Sequence, residues 1–298
     1  MVLISLLQMT HPSKQSLLDL WGTIQESIDG QQHSRALGRW ERIGHSNIAN
    51  MLAQRPTIFV FTSGAQGANG DKIRVAQDCC EHFEAKSFAP CVIMGLNLAE
   101  NDGLKHLLSP WVTKSNRAHL SWFLCFMPKL YQYIDSFEDN DAFFICEDSA
   151  RLLECVTVEH LKHAGSDKWL AYRWKVKGTC KKPIVDNDFI ITKETVSSHN
   201  AVGSKLFCLK KSTIYKLWRL LLQTDVNLYF DWHTNTMVVN QAIERVPASF
   251  GYSARHHSYQ TGDKILDDEY PQTLMTPKAL NRLLGVREQP EALNRRYQ

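Results

Sequence analysis

What this chain lacks removes several classes of protein at once. Its eight cysteines include no CxxC pair, so neither a zinc knuckle nor a thioredoxin-like redox motif is present. No stretch approaches 18 uncharged apolar residues, which excludes an ordinary membrane-spanning helix. There is no GxGxxG and no GxxxxGK[ST], so the dinucleotide fingerprint and the P-loop are both missing. Internal repeats and low-complexity tracts are absent too. Charge of neither sign dominates: 34 Lys and Arg against 31 Asp and Glu leave +3, which permits a phosphate-rich partner without demanding one.

What remains is an ordinary globular composition. The 298 residues are 44% hydrophobic and 22% charged, enough to bury a substantial core. Several cysteines sit inside apolar runs, where Cys behaves as a small hydrophobe. That usage suits a reducing, cytoplasmic setting better than a disulfide framework. The apolar run Met1–Leu7 is too short to span a bilayer and lacks the basic flank of a signal peptide.

The pattern predicts a helical N-terminal extension over residues 1–55, with apolar residues at three- and four-residue spacing in Ser16–Ile28 and Ala36–Leu52. Strand and helix then alternate. Strands are expected at Thr57–Thr62, Pro90–Met94, Ala142–Cys146 and Lys205–Leu209. Helices are expected over 71–85, 116–137 and 212–223. Such alternation implies an α/β fold with a mostly parallel sheet flanked by helices, its ligands at the strand C-termini. This domain is expected to run from 56 to 270, followed by a polar tail over 271–298.

The most informative segment is Asp141–Ala150. An apolar run ends there in Glu147 and Asp148. Two acids at a strand end can hold Mg²⁺ or Mn²⁺ and a phosphate-bearing substrate. The same residues also read as a strand followed by a helix cap. Upstream, Ser63–Gly70 is a glycine-rich loop directly after the first strand, suited to close approach of a ligand or to a plain turn.

The order of these pieces resembles the family of lipopolysaccharide and procollagen galactosyltransferases, glycosyltransferases of the GT-A type. The segments carrying the resemblance are Asp71-Lys72-Ile73-Arg74, Met94–Leu98, Ser115–Trp122, Phe144–Ala150, Gly203–Lys211 and Leu228–Trp232. Together they cover roughly residues 57–260. Two positions depart from the family pattern: Ala118 precedes His119 where the family has Ser-His, and Ser149 stands where it has a third acid.

The resemblance implies a GT-A-like (Rossmann-like) fold and transfer of a sugar from a nucleotide-sugar, with UDP expected, to an acceptor hydroxyl. Asp71, Lys72, His119, Glu147, Asp148 and Arg255 are the expected donor-binding residues. Asp148 and His257 are the expected metal ligands. Asp231 is the expected catalytic base, because a strand-like run, Val226–Phe230, leads into it. A capping or turn aspartate is the alternative. Asp186 and Asp188 are expected in a loop without a metal. On this reading Asp148→Asn abolishes transfer and spares the fold.

The acceptor stays open between a saccharide and a hydroxymethylated base in DNA. Lys162–Lys182 interleaves seven cations with Trp169, Tyr172 and Trp174. Cations among stacking aromatics suit a nucleic-acid groove, yet an amphipathic helix with its tryptophans in the core has the same composition. Outside enzymes, two further classes fit: a catalytically dead nucleotide-sugar-binding module and a non-enzymatic nucleic-acid-binding protein.

Overall fold

A computed structural model describes residues 55–62, 72–95, 122–175, 185–186, 189–190, 200–223, 230–246 and 249–253, with Leu20, Thr23, Ile24 and Trp40. The first strand, β1 (Thr57–Thr62), is buried along its whole length, as its β-branched and aromatic residues require in a sheet covered on both sides. Helix α1 (Lys72–Ala85) returns the chain to β2 (Ala89–Met94), which lies parallel to β1. A π-helical turn (Trp122–Phe126) leads into α2 (Met127–Ile134). The sequence predicts one regular helix through this region. Pro128 interrupts it, because proline has no N–H to donate to the preceding turn.

Strand β3 (Ala142–Glu147) then pairs with β1 on the side opposite β2, again in parallel. A tight turn gives β4 (Ala150–Leu152), and α3 (Val158–Ala164) precedes β5 (Lys168–Lys175). Strands β6 (Val185–Asp186) and β7 (Phe189–Ile190) pair with each other, so Asp186 sits in a two-residue strand beside the expected loop. The long β8 (Asn200–Lys210) leads into α4 (Lys211–Gln223). Helix α5 (Phe230–Val239), β9 (Glu244–Arg245) and β10 (Gly251–Ser253) follow.

Among the described residues, the main sheet has six strands in the order β2-β1-β3-β8-β5-β9. Five run in one direction, and only β8 is reversed, antiparallel to both β3 and β5. The fold is therefore α/β, with a mostly parallel, Rossmann-like sheet flanked by helices. One core cluster includes β1, β2, β3, β5, β8 and the inner faces of the helices, and Ile24 and Trp40 belong to it. Trp40 also donates through Nε1 to Glu84 on α1, at 2.8 Å. The rest of the expected N-terminal extension, the 63–70 loop and the 271–298 tail lie outside the described residues.

Two expectations fail here for the same reason, that tertiary pairing overrides local pattern. Phe230 and Asp231 open helix α5 and do not end a strand. The centre of the basic aromatic stretch is not an amphipathic helix: Lys168–Lys175 is an interior strand between β8 and β9, and residues 176–182 lie outside the described residues. Trp169 is 0% exposed, stacks on Phe207 at 5.3 Å and donates its indole N–H to the carbonyl of Ala171. Tyr172 is equally buried and its hydroxyl donates to the carbonyl of Val246.

No helix among the described residues is long and apolar enough to cross a membrane.

Candidate functional site

The chain leaves β1, crosses to β2 on one side, and later returns to β3 on the other. The C-terminal ends of β1 and β3 therefore diverge at a topological switch point, where open α/β sheets form their ligand crevice. Thr62 ends β1, Lys72 begins α1, Glu147 ends β3, and Asp148-Ser149 follows it. All of them meet at this point.

Asp148 is 3% exposed and closely held. Its amide donates to the carbonyl of Phe61 at 2.9 Å, which ties the β3 turn to β1. Thr62 Oγ1 donates to Asp148 Oδ2 at 2.8 Å. Lys72 Nζ donates to both carboxylate oxygens at 2.7 Å. Lys72 is itself 8% exposed, so this is a buried ion pair, and such a pair persists only when further hydrogen bonds satisfy its oxygens. The sequence predicts Lys72 and Asp148 as site residues, and the structure brings them into direct contact.

Glu147 forms a second pair. Lys205 Nζ bonds Glu147 Oε2 and donates to Ser149 Oγ at 3.3 Å. The two side chains are 15% and 27% exposed, so this pair lies nearer the solvent than Lys72–Asp148. Burial works against the Lys205 charge. That is the largest single influence, but the charge and hydrogen bond of Glu147, with the charges of Asp231 and Asp148, together outweigh it and hold the ammonium above the ordinary lysine range.

That influence also places Asp231 in the same electrostatic neighbourhood. Helix α5, which packs on β8, carries it there in its first turn, where a carboxylate is favoured by the helix dipole. Its backbone carbonyl accepts from Thr234 Oγ1 at 3.0 Å and Asn235 Nδ2 at 2.7 Å, which fixes that turn. Asp231 thus lies on a helix and not at a sheet edge.

The scaffold behind the carboxylates is equally specific. Arg151, 9% exposed, donates to the carbonyls of Ala150 at 2.7 Å and Asp148 at 3.2 Å. It thereby braces the turn from inside. Strand β10 pairs with β4 across Gly251, where an added Cβ would lie 2.3 Å from the carbonyl oxygen of Arg151. Only glycine lets the two backbones come so close. His82 on α1 accepts the Leu152 amide through Nε2 at 2.9 Å. Burial first, then Arg151 and Lys86, lower its pKa to about 4.

Sequence reasoning missed Lys205, Thr62 and Arg151. One signal for Lys205 was present: a lone charge directly ahead of the apolar run Leu206–Leu209 in a strand. For Thr62 and Arg151 nothing local marked a role. Asp71, His119, Arg255 and His257 lie outside the described residues.

A divalent metal of the kind expected at this position needs several oxygen donors with accessible lone pairs and an excess of negative charge. The donor set does not fit. Both Asp148 oxygens face Lys72, Glu147 faces Lys205, and the third position is a serine already bonded to that lysine. The charges of Lys72, Lys205, Glu147 and Asp148 cancel. With each carboxylate neutralised by an ammonium, the site offers a dication no net attraction. Among the described residues, no three His, Cys, Asp or Glu side chains come together as a metal-binding group.

No protein-family model matches the chain, and no curated protein matches it significantly. Among solved structures it is similar to a 4-diphosphocytidyl-2C-methyl-D-erythritol synthase. The identity is 11%, the match covers 78% of this chain and 99% of that one, and the TM-score is 0.33.

Proposed function

We propose that this protein is a glycosyltransferase that moves a sugar from a nucleotide-sugar, with a UDP-sugar as the favoured donor, to an acceptor hydroxyl with inversion. The observation that carries the reading is the convergence of Glu147, Asp148, Lys72 and Lys205 at the β1/β3 switch point, with Asp231 brought close to Lys205 from another element. In a fold of this class that crevice is where a nucleotide is expected to lie. The carboxylates suit ribose and sugar hydroxyls, and the ammonium groups suit the diphosphate.

The chemistry asks for little else. The bond between the anomeric carbon and the diphosphate oxygen breaks, and the acceptor oxygen bonds to that carbon from the opposite face. Asp231 takes the acceptor proton, and the nucleoside diphosphate leaves with the bonding electrons. A saccharide acceptor is favoured over DNA, because burial of Trp169 and Tyr172 removes two of the three aromatics that a base-stacking groove along this stretch would use.

The test is a thermal-shift panel of nucleotide-sugars followed by transfer assays on saccharide and hydroxymethylated DNA acceptors. A donor that binds only the native state raises the melting temperature. Asp231→Asn is expected to lower turnover by about 10²–10⁴ with donor affinity retained. Donor binding with no transfer or hydrolysis under any condition would leave a binding module instead of an enzyme. Failure of every nucleotide-sugar to bind would reject the reading as a whole.

A further inference from the structure

We infer that the diphosphate of the donor is held by the ammonium groups of Lys72 and Lys205 in place of a divalent metal. The inference rests on the glycosyltransferase reading and deepens it. Departing diphosphate needs positive charge beside it, which a metal commonly supplies. Here the positions that would hold such a metal already carry two cations, one on each carboxylate of the Glu147-Asp148 pair.

The two lysines have different parts. Lys72 is fixed by both oxygens of a buried carboxylate and enters from the first turn of α1, so it is a stationary charge at the β1/β3 switch point. Lys205 is the more accessible, and its partners, Glu147 and Ser149, lie along the same turn. Its strand passes through Gly203 at φ +76, and the lysine stem lies over that glycine, 3.4 Å from where a Cβ would be. An ammonium group is a compact point charge with three rotatable donors, so Lys205 can turn from Glu147 toward a phosphate oxygen without backbone movement. The released Glu147 carboxylate is then available to a hydroxyl of the donor. Ser149, where the resemblance expects a third acid, fits this arrangement: a neutral hydroxyl accepts from Lys205 without adding the negative charge that would repel a diphosphate.

The experiment measures binding of UDP-galactose, UDP, UMP and uridine to the full chain by calorimetry, in EDTA and in excess Mn²⁺. The expected result is equal UDP-galactose affinity in both media and a marked preference for UDP over UMP. Lys205→Gln should weaken UDP binding by at least about tenfold, the size of one charge-assisted hydrogen bond. Uridine binding should not change in that variant, and Lys205→Arg should restore much of the UDP affinity. The uridine control separates loss of the phosphate contact from loss of the fold. Binding of UDP-galactose only in Mn²⁺ would overturn the ammonium site while leaving the glycosyltransferase reading in place. An unchanged UDP over UMP preference in Lys205→Gln would overturn it equally. Failure of every nucleotide to bind in both media would remove the functional reading and this inference with it.

Discussion

Two segments carry the chemistry that the sequence advertises, and they end in opposite places. Phe143–Ala150 runs through a buried strand and delivers its polar residues to the end of the sheet. Lys168–Tyr172 keeps its aromatics inside, between β8 and β9. Both are rich in groups that bind ligands. The difference lies in where each strand ends relative to the switch point. Composition says which side chains could bind something, and topology says which of them face a crevice. In the first segment the charges pair with lysines from α1 and β8. In the second, Trp169 stacks on Phe207 and meets the Tyr172 ring at a tilt.

The sharpest way to break this comparison is Asp148→Asn. It leaves Lys72 buried without a counter-charge, and removing one partner of a buried pair typically costs about 3–5 kcal/mol. The sequence reading has this variant sparing the fold, whereas the buried lysine predicts a loss of stability. Urea denaturation should show the loss, and the double change Lys72→Met, Asp148→Leu should recover most of it. Both forms are expected to lose donor binding. A stable Asp148→Asn protein would show that the pair is not buried as described.

Trp169→Ala probes the other segment. Emptying a fully buried indole position is expected to cost about 3–5 kcal/mol, again by urea denaturation. The contrast appears in binding: at temperatures where the variant is folded, donor and acceptor affinities should match the parent. Loss of acceptor affinity in the folded variant would return this tryptophan to a binding surface.

A smaller effect tests the scaffold behind the carboxylates. Gly251→Ala drives a methyl into the carbonyl of Arg151, and overpacking of this kind typically costs about 1–3 kcal/mol. Because Arg151 braces the Asp148 turn, donor affinity should fall along with the melting temperature. An unaffected protein would mean that β10 can move away freely.

The smallest effect is in the pH dependence of stability. His82 is neutral in the folded chain, with a pKa lowered to about 4 from an ordinary value of 6.5. Between those values the unfolded chain binds a proton that the folded chain refuses, so stability rises with pH there. It is fully present above about 6.5 and is lost as the pH falls toward 4. Partial exposure of the residue limits the contribution to about 1 kcal/mol, the size of its bond to the Leu152 amide. His82→Gln should flatten that part of the stability profile, and an unchanged slope would remove His82 as its source.

By itself the sequence determined the frame. The β1 strand falls on the predicted residues, and β2, β3, α1 and α4 fall within a residue of them, because their local pattern and their buried environment agree. It also marked Glu147 and Asp148, since acids after an apolar strand are a local feature, and the family resemblance added Lys72. Tertiary structure decided the rest. The strand character of Lys168–Lys175 comes from pairing with β8, and the helix at Asp231 comes from packing on that same strand, neither of which local composition specifies. The pairing of Lys72 with Asp148 spans 76 positions and that of Lys205 with Glu147 spans 58. An ion pair between such distant residues has no local signature. It exists because the chain crosses from β1 to β2 and returns to β3 on the other side. That return sets two carboxylates beside two ammonium groups in a space that excludes most of the water.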